Sequence, residues 1–206
     1  MKLLLVAATP FEIEPFKAWT AKSTKSREIE ILITGVGMVA TAFAMGRLLA
    51  SRQFGLAINA GVAGAFDRNL AIGDVVHVAN DRFAELGAED GDGFISIDEL
   101  GFGDSVLRPI RPLQNLPEMP IVSAITVNKV HGNELSISKT LERVSPQIES
   151  MEGAAFVYAC NQFNLPSVQI RSISNYVERR NRDSWNIPLA IKNLNNTVIE
   201  LINQLV

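Results

Sequence analysis

Cysteine, histidine and aromatic residues are scarce in this chain: one Cys, two His and 7% aromatic residues among 206. A lone cysteine, Cys160, excludes an internal disulfide. Its apolar neighbours on a predicted helix make it a small core thiol, as expected of a cytoplasmic protein. With only His77 and His131 present, we expect no histidine-based metal site and no metal at all. Basic charge is not in excess either. Lys and Arg number 19 against 22 Asp and Glu, a formal net charge of −3 with no run of like charge. No basic face for a phosphate backbone follows from this, so nucleic acid is not an expected partner. Long hydrophobic runs are missing too. The apolar residues 1–8 are cut short by Thr9-Pro10 and the acidic Glu12 and Glu14, too soon for a leader or a membrane span. They read as a first buried strand.

What is present suits one domain over residues 1–206, since 47% hydrophobic and 20% charged residues can form a substantial core. Nearly continuous apolar runs at 3–8, 29–34, 56–60, 75–79, 121–127 and 167–174 fit strands covered on both faces. Helical patterns lie between and after them, at 38–52, 133–144, 152–163 and 187–204. The alternation predicts an α/β three-layer sandwich, a central, largely parallel or mixed twisted sheet flanked by helices. The stretch 83–114 is rich in Gly and acidic residues, holds no sustained period, and reads as a solvated loop.

Gly35-Val36-Gly37 and Asn59-Ala60-Gly61-Val62-Ala63-Gly64 follow predicted strands, where backbone can approach a small ligand. They also suit plain strand-to-helix turns. The first lacks the third glycine of a dinucleotide fingerprint and the Gly-Lys-Ser/Thr of a P-loop, which argues against nicotinamide and ATP.

Four segments in order carry a resemblance: Asn59–Gly64, then Ile72-Gly73-Asp74-Val75-Val76, Met151-Glu152-Gly153-Ala154-Ala155 and Arg171-Ser172-Ile173-Ser174. Together they resemble the motifs of the nucleoside phosphorylase and nucleosidase superfamily, over nearly the whole chain. Thr9-Pro10-Phe11-Glu12, the run Thr126–Gly132, Glu149-Ser150-Met151-Glu152-Gly153 and Ser174-Asn175-Tyr176-Val177-Glu178 resemble the futalosine hydrolase subgroup. The resemblance implies hydrolysis of a purine nucleoside, with release of hypoxanthine in menaquinone biosynthesis and without cofactor or metal. It also implies a homodimer or higher homo-oligomer. The alternatives are a 5′-methylthioadenosine/S-adenosylhomocysteine-type nucleosidase, a 6-oxopurine nucleoside phosphorylase, and a nucleoside-binding sensor without catalysis.

Cleaving an N-riboside passes through a cationic sugar while charge flows into the departing base. Glu152 is the candidate ribose clamp, because a carboxylate accepts hydrogen bonds from two hydroxyls and its charge favours the cation; it also fits an exposed first-turn glutamate. Met151 would pack on the sugar, and Gly61 would let backbone approach it. Glu12 matches the family's water-activating glutamate, although a charged helix cap fits the same position. Asn175 stands where adenosine-type nucleosidases of the superfamily carry aspartate. Its amide can accept from a protonated N7 and donate to a 6-oxo group, and it can also simply end a strand in a turn.

Phosphorolysis would need cationic residues around the anion, and neither 9–15 nor 56–64 holds an arginine. Base stacking is expected from Val130, from Phe83 or from a partner subunit. For a carboxylated 5′ extension, Arg179 and Arg180 are the first candidates, with Arg182, Lys129 and His131 behind them.

Overall fold

The structure, a computed structural model, describes residues 1–113 and 116–205. In chain order the strands are β1 (Leu3–Ala7), β2 (Ile29–Ile33), β3 (Leu56–Ala65), β4 (Val75–Phe83), β5 (Gly87–Asp90), β6 (Gly93–Ser96), β7 (Val106–Leu107), β8 (Ile121–Thr126), β9 (Ile148–Ser150) and β10 (Ser167–Tyr176). The helices are α1 (Glu14–Thr20), α2 (Met38–Leu49), α3 (Glu134–Val144), α4 (Gly153–Gln162) and α5 (Ile187–Leu205).

β3 is the central strand. It pairs in parallel with β10 along its length and with β1 over Leu56–Asn59, and β2 lies parallel on the far side of β1. At Gly64 and Ala65, β9 pairs antiparallel with β3. β10 pairs antiparallel with β4, β4 parallel with β8, and β8 parallel with β9. Because β9 returns to β3, the strands β3, β10, β4, β8 and β9 close a ring, from which β1 and β2 extend as an open wing. The sheet is therefore mixed, with parallel pairs predominating.

Period-two alternation along the strands builds the layers. Leu3, Leu5 and Ala7 pack with Ile58, Ile170 and the α5 residues Leu194, Val198 and Leu201. Leu4 and Val6 face the other way, toward Met45 and Leu49 of α2 and Phe156, Val157 and Cys160 of α4. A third cluster, Ala63, Ala65, Val76, Val122, Ile148 and Ile173, draws on all five ring strands. Cys160 is fully buried and its thiol is pushed up to about 12 by that burial, so it is the inert core thiol expected.

Three expectations need correction. β3 runs past Ala60 to Ala65, so Gly61 and Gly64 lie inside a strand and not in a strand-to-helix turn. The missing Cβ atoms leave room for the side chains of Glu12 and Arg171 at Gly61 and of Val177 and Asn175 at Gly64. Gly35 and Gly37 do form such a turn before α2, with φ of +87° and +95° that favour glycine. The stretch 83–114 is not a plain loop: β5 and β6 form a hairpin and β7 pairs with β4. That hairpin is largely exposed, so no apolar alternation marked it; Gln114 lies outside the described residues. Finally, Glu152 is not in the first turn of α4 but is the residue before it.

Candidate active site

Past the carboxyl ends of β1 and β10, and along β3 and β9, lies a cleft of about 400 Å³. Ligands of α/β proteins usually sit beyond strand ends of this kind. Glu12, Glu149 and Glu152 line it, as do Val130, Met151 and Asn175. A neighbouring depression of about 430 Å³, lined by Met38, Val39, Phe83 and Tyr158 among others, is mostly apolar.

Glu12 sits in a 3-10 turn directly after β1. Its Oε2 accepts from the Thr9 backbone N–H at 2.9 Å and the Thr9 hydroxyl at 3.0 Å, while the Glu12 N–H donates to Thr9 Oγ1 at 3.4 Å. This reciprocal Thr-x-x-Glu arrangement is a capping box. Oε1 accepts from the Val62 N–H at 3.3 Å. From α5, Asn195 donates to the Glu12 carbonyl at 2.9 Å and accepts from the Phe16 N–H at 2.9 Å. Glu12 is thus both a cap and a cleft residue, whereas Glu14 is exposed at the start of α1. Gly61 lies behind Glu12 and outside the cleft lining: a Cβ there would come 3.0 Å from Glu12 Oε1 and 3.3 Å from Arg171 Nη1.

Glu152 Oε1 accepts from the Gly37 N–H at 2.9 Å, which joins the glycine turn to the start of α4. Burial pushes its carboxyl above the ordinary range; Arg171 and the Gly37 bond oppose that shift, and Glu12 adds to it. Arg171 is 1% exposed. It donates to the Asn59 side chain and to the Ile170 carbonyl at 3.2 Å. Burial pulls its pKa down, and the charges of Glu152, Asp81 and Glu12 hold it up. An arginine on β10 therefore lies in the electrostatic neighbourhood of Glu12, although none is near it along the chain. Its hydrogen bonds go to Asn59 and the Ile170 carbonyl and not to a carboxylate.

Under the start of α4, buried Asp81 accepts from Thr126 at 2.8 Å and Gln169 at 2.8 Å, and Thr126 Oγ1 accepts from the Ala154 N–H at 2.7 Å. Desolvation raises the Asp81 pKa, against the pull of those bonds. Gly153 is required here, because a Cβ would lie 2.1 Å from Asp81 Oδ2.

Asn175 sits at an irregularity of β10, where the register against β3 shifts. Its Oδ1 accepts from the Ser174 hydroxyl at 2.8 Å and its Nδ2 donates to the Tyr176 carbonyl at 2.9 Å. Val130 lines the same cleft. His131 is held by Glu149 through its backbone N–H at 2.9 Å and its Nδ1 at 2.5 Å, with Thr140 Oγ1 2.8 Å from Nε2. Arg180 lines the cleft and lies 5.2 Å from the Trp185 ring; Arg179 is exposed and outside the lining. Phe83 belongs to the neighbouring depression. The indole and phenyl rings in the cleft wall are Trp185, which lies outside the resembling segments, and Phe11, which stands inside Thr9–Glu12 without an assigned role.

The pattern described as the Phosphorylase superfamily matches residues 2–203. The chain belongs to that superfamily. A futalosine hydrolase from Acidothermus cellulolyticus is 31% identical over 191 residues, 88% of this chain and 78% of that protein. A 5′-methylthioadenosine/S-adenosylhomocysteine nucleosidase from Glaesserella parasuis is 25% identical, over 93% of this chain and 87% of that one. The native structure of futalosine hydrolase from Helicobacter pylori strain 26695 superposes with a TM-score of 0.84 at 14% identity, covering 99% of this chain and 98% of that one. This phosphorylase-superfamily chain therefore has the expected fold. Motif reading gave Arg171 and Glu149 no role, and His131, expected among the candidates for the 5′ extension, is engaged by Glu149. A charge inside a strand whose Ser and Gln side chains are themselves buried was the available signal for Arg171, since a buried charge needs partners.

Proposed function

We propose that this protein hydrolyses the N-glycosidic bond of futalosine, releasing hypoxanthine and serving menaquinone biosynthesis in the cytoplasm. The observation that carries the reading is the gathering of Glu12, Glu152 and the amide of Asn175 around one cleft. Relatives named futalosine hydrolase support it. Glu152, with Met151 beside it, holds the ribose 2′- and 3′-hydroxyls, and its charge favours the cationic sugar. Glu12 accepts a proton from water as the water oxygen bonds to C1′. The C1′–N9 bond breaks with its electron pair moving into the purine, which takes a proton at N7 from solvent water, while the proton gained by Glu12 returns to solvent. Asn175 Oδ1 accepts from N7–H, and Nδ2 donates to the 6-oxo group. Each atom keeps capacity for this, since Nδ2 has a second N–H and Oδ1 a second lone pair. Arg180 is the cationic residue best placed for a carboxylated 5′ extension, and Val130 flanks the base.

No described helix is long and apolar enough to cross a membrane. Val39 (78% exposed) and Phe43 (70%) on α2, with Tyr158 on α4, form an apolar face beside the depression of Met38 and Phe83. We assign this face to a homodimer, because neighbouring exposed apolar side chains mark an interaction surface and a symmetric dimer is the commonest assembly.

Chromatography of the base released from futalosine, inosine and 5′-methylthioadenosine, with and without phosphate, tests the reading. Hypoxanthine from futalosine without phosphate is expected. Equal cleavage of methylthioadenosine, or strict need for phosphate, overturns it.

A further inference from the structure

Asn175, Gly64 and Glu149 stand abreast on three neighbouring strands: Gly64 pairs with Asn175 of β10 on one side and with Glu149 of β9 on the other. Ala65 and Ile148, one residue along, face the ring cluster, so Gly64 and Glu149 face the opposite way. The middle position of this row has no side chain. A Cβ on Gly64 would sit 3.2 Å from Asn175 Nδ2 and 3.6 Å from Glu149 Cγ. Val177 Cγ2, 3.0 Å from that point, packs over the glycine, and the amide and the carboxylate stand on either side of it in the lining of one cleft.

We propose that Glu149 reads the N1 edge of the base, a role that rests on the proposed nucleosidase reading. A 6-oxopurine shows in sequence an N7–H, a 6-oxo group and an N1–H. Asn175 Oδ1, Asn175 Nδ2 and the Glu149 carboxylate supply acceptor, donor and acceptor in the same order. Adenine reverses the last two, with an amino donor and a bare N1, which would set donor against donor and lone pair against carboxylate. Glu149 is held for this: His131 donates to Oε1 from its backbone and meets Oε2 with Nδ1, while Thr140 engages Nε2. With both ring nitrogens engaged, His131 acts as the brace and not as a ligand contact. Each carboxylate oxygen keeps a free lone pair, and Glu149 is 4% exposed, where an unmatched base would cost most.

The test is calorimetric binding of hypoxanthine, 1-methylhypoxanthine and adenine to the full chain, beside base release from futalosine. The wild type is expected to bind hypoxanthine at least about tenfold tighter than either other base, the size of one hydrogen bond to a charged group. Glu149→Gln, whose amide can donate to a bare N1, is expected to shift the hypoxanthine-to-adenine ratio at least about tenfold toward adenine. An unchanged ratio in folded Glu149→Gln overturns the assignment, and so does wild-type binding of 1-methylhypoxanthine as tight as that of hypoxanthine, which needs no variant. Absence of base binding overturns it as well. Hypoxanthine release without these preferences removes Glu149 from base reading and leaves the hydrolase reading intact; the preferences without release do the reverse.

Discussion

Glu12 and Glu152 are both carboxylates on one cleft, yet their surroundings separate them. Glu12 is fixed by Thr9 and Val62 and keeps its orientation without substrate. Glu12→Gln should lower kcat by about 10²–10⁴, the usual worth of a general base, with KM little changed; steady-state kinetics on futalosine would measure it. Glu152 must be ionised to accept from two hydroxyls, and burial raises its pKa. The acid limb of kcat/KM should therefore fall at a pH above the ordinary glutamate value of about 4.3. Asn175→Asp replaces the donor with an acceptor and should move preference from 6-oxopurine toward adenine nucleosides by roughly 10- to 100-fold, one mismatched buried group. Competition between inosine and adenosine reads this. Glu12, Met151, Glu152, Val130 and Asn175 stand in the resembling segments and line the cleft, as does Arg180, which only its charge and its place after β10 suggested. Gly61 and Arg179 lie outside that lining, because a motif gives the strand but not which residue faces the opening.

At the start of α4, three strands and a helix meet on a polar knot. Asp81 on β4, Thr126 on β8 and Gln169 on β10 converge beneath Gly153, and Met151-Glu152 enters the cleft from that junction. Gly153→Ala drives a methyl into Asp81, an overpacking of about 1–3 kcal/mol. A melting temperature lower by several degrees should result, together with a raised KM if the ribose clamp moves with the helix. Short apolar runs made β1 and β8 easy to read, and helical spacing of apolar residues did the same for α2, α3, α4 and α5. β9 escaped notice because three residues carry no period, and α1 because it is short and opens with Pro15. The end of β3 was missed for another reason: alanine and glycine have poor strand propensity, and pairing with β10 and β9 makes residues 61–65 part of the strand.

For the protein as a unit, two titrations set the pH response in the same direction. Asp81 and Glu152 both have folded pKa values raised by burial. Their contribution to stability is full below the unfolded carboxylate pKa of about 4 and is lost as pH rises through the folded values. Asp81→Asn should remove part of that decline, which thermal melts from pH 4 to 8 would reveal as a flatter profile. Assembly is a separate property: Val39→Lys with Phe43→Glu should turn a dimer into a monomer in analytical ultracentrifugation. None of this surface logic can be read from sequence, since exposure of Val39 and Phe43 depends on which face of α2 the sheet covers.

The bonds from Asn195 to Glu12 and Phe16 span 183 and 179 positions. Such contacts close very long loops, whose entropy is lost before the contact is gained. The sheet can therefore form while the turn that carries Glu12 still lacks its tie to α5, and docking of that helix completes it.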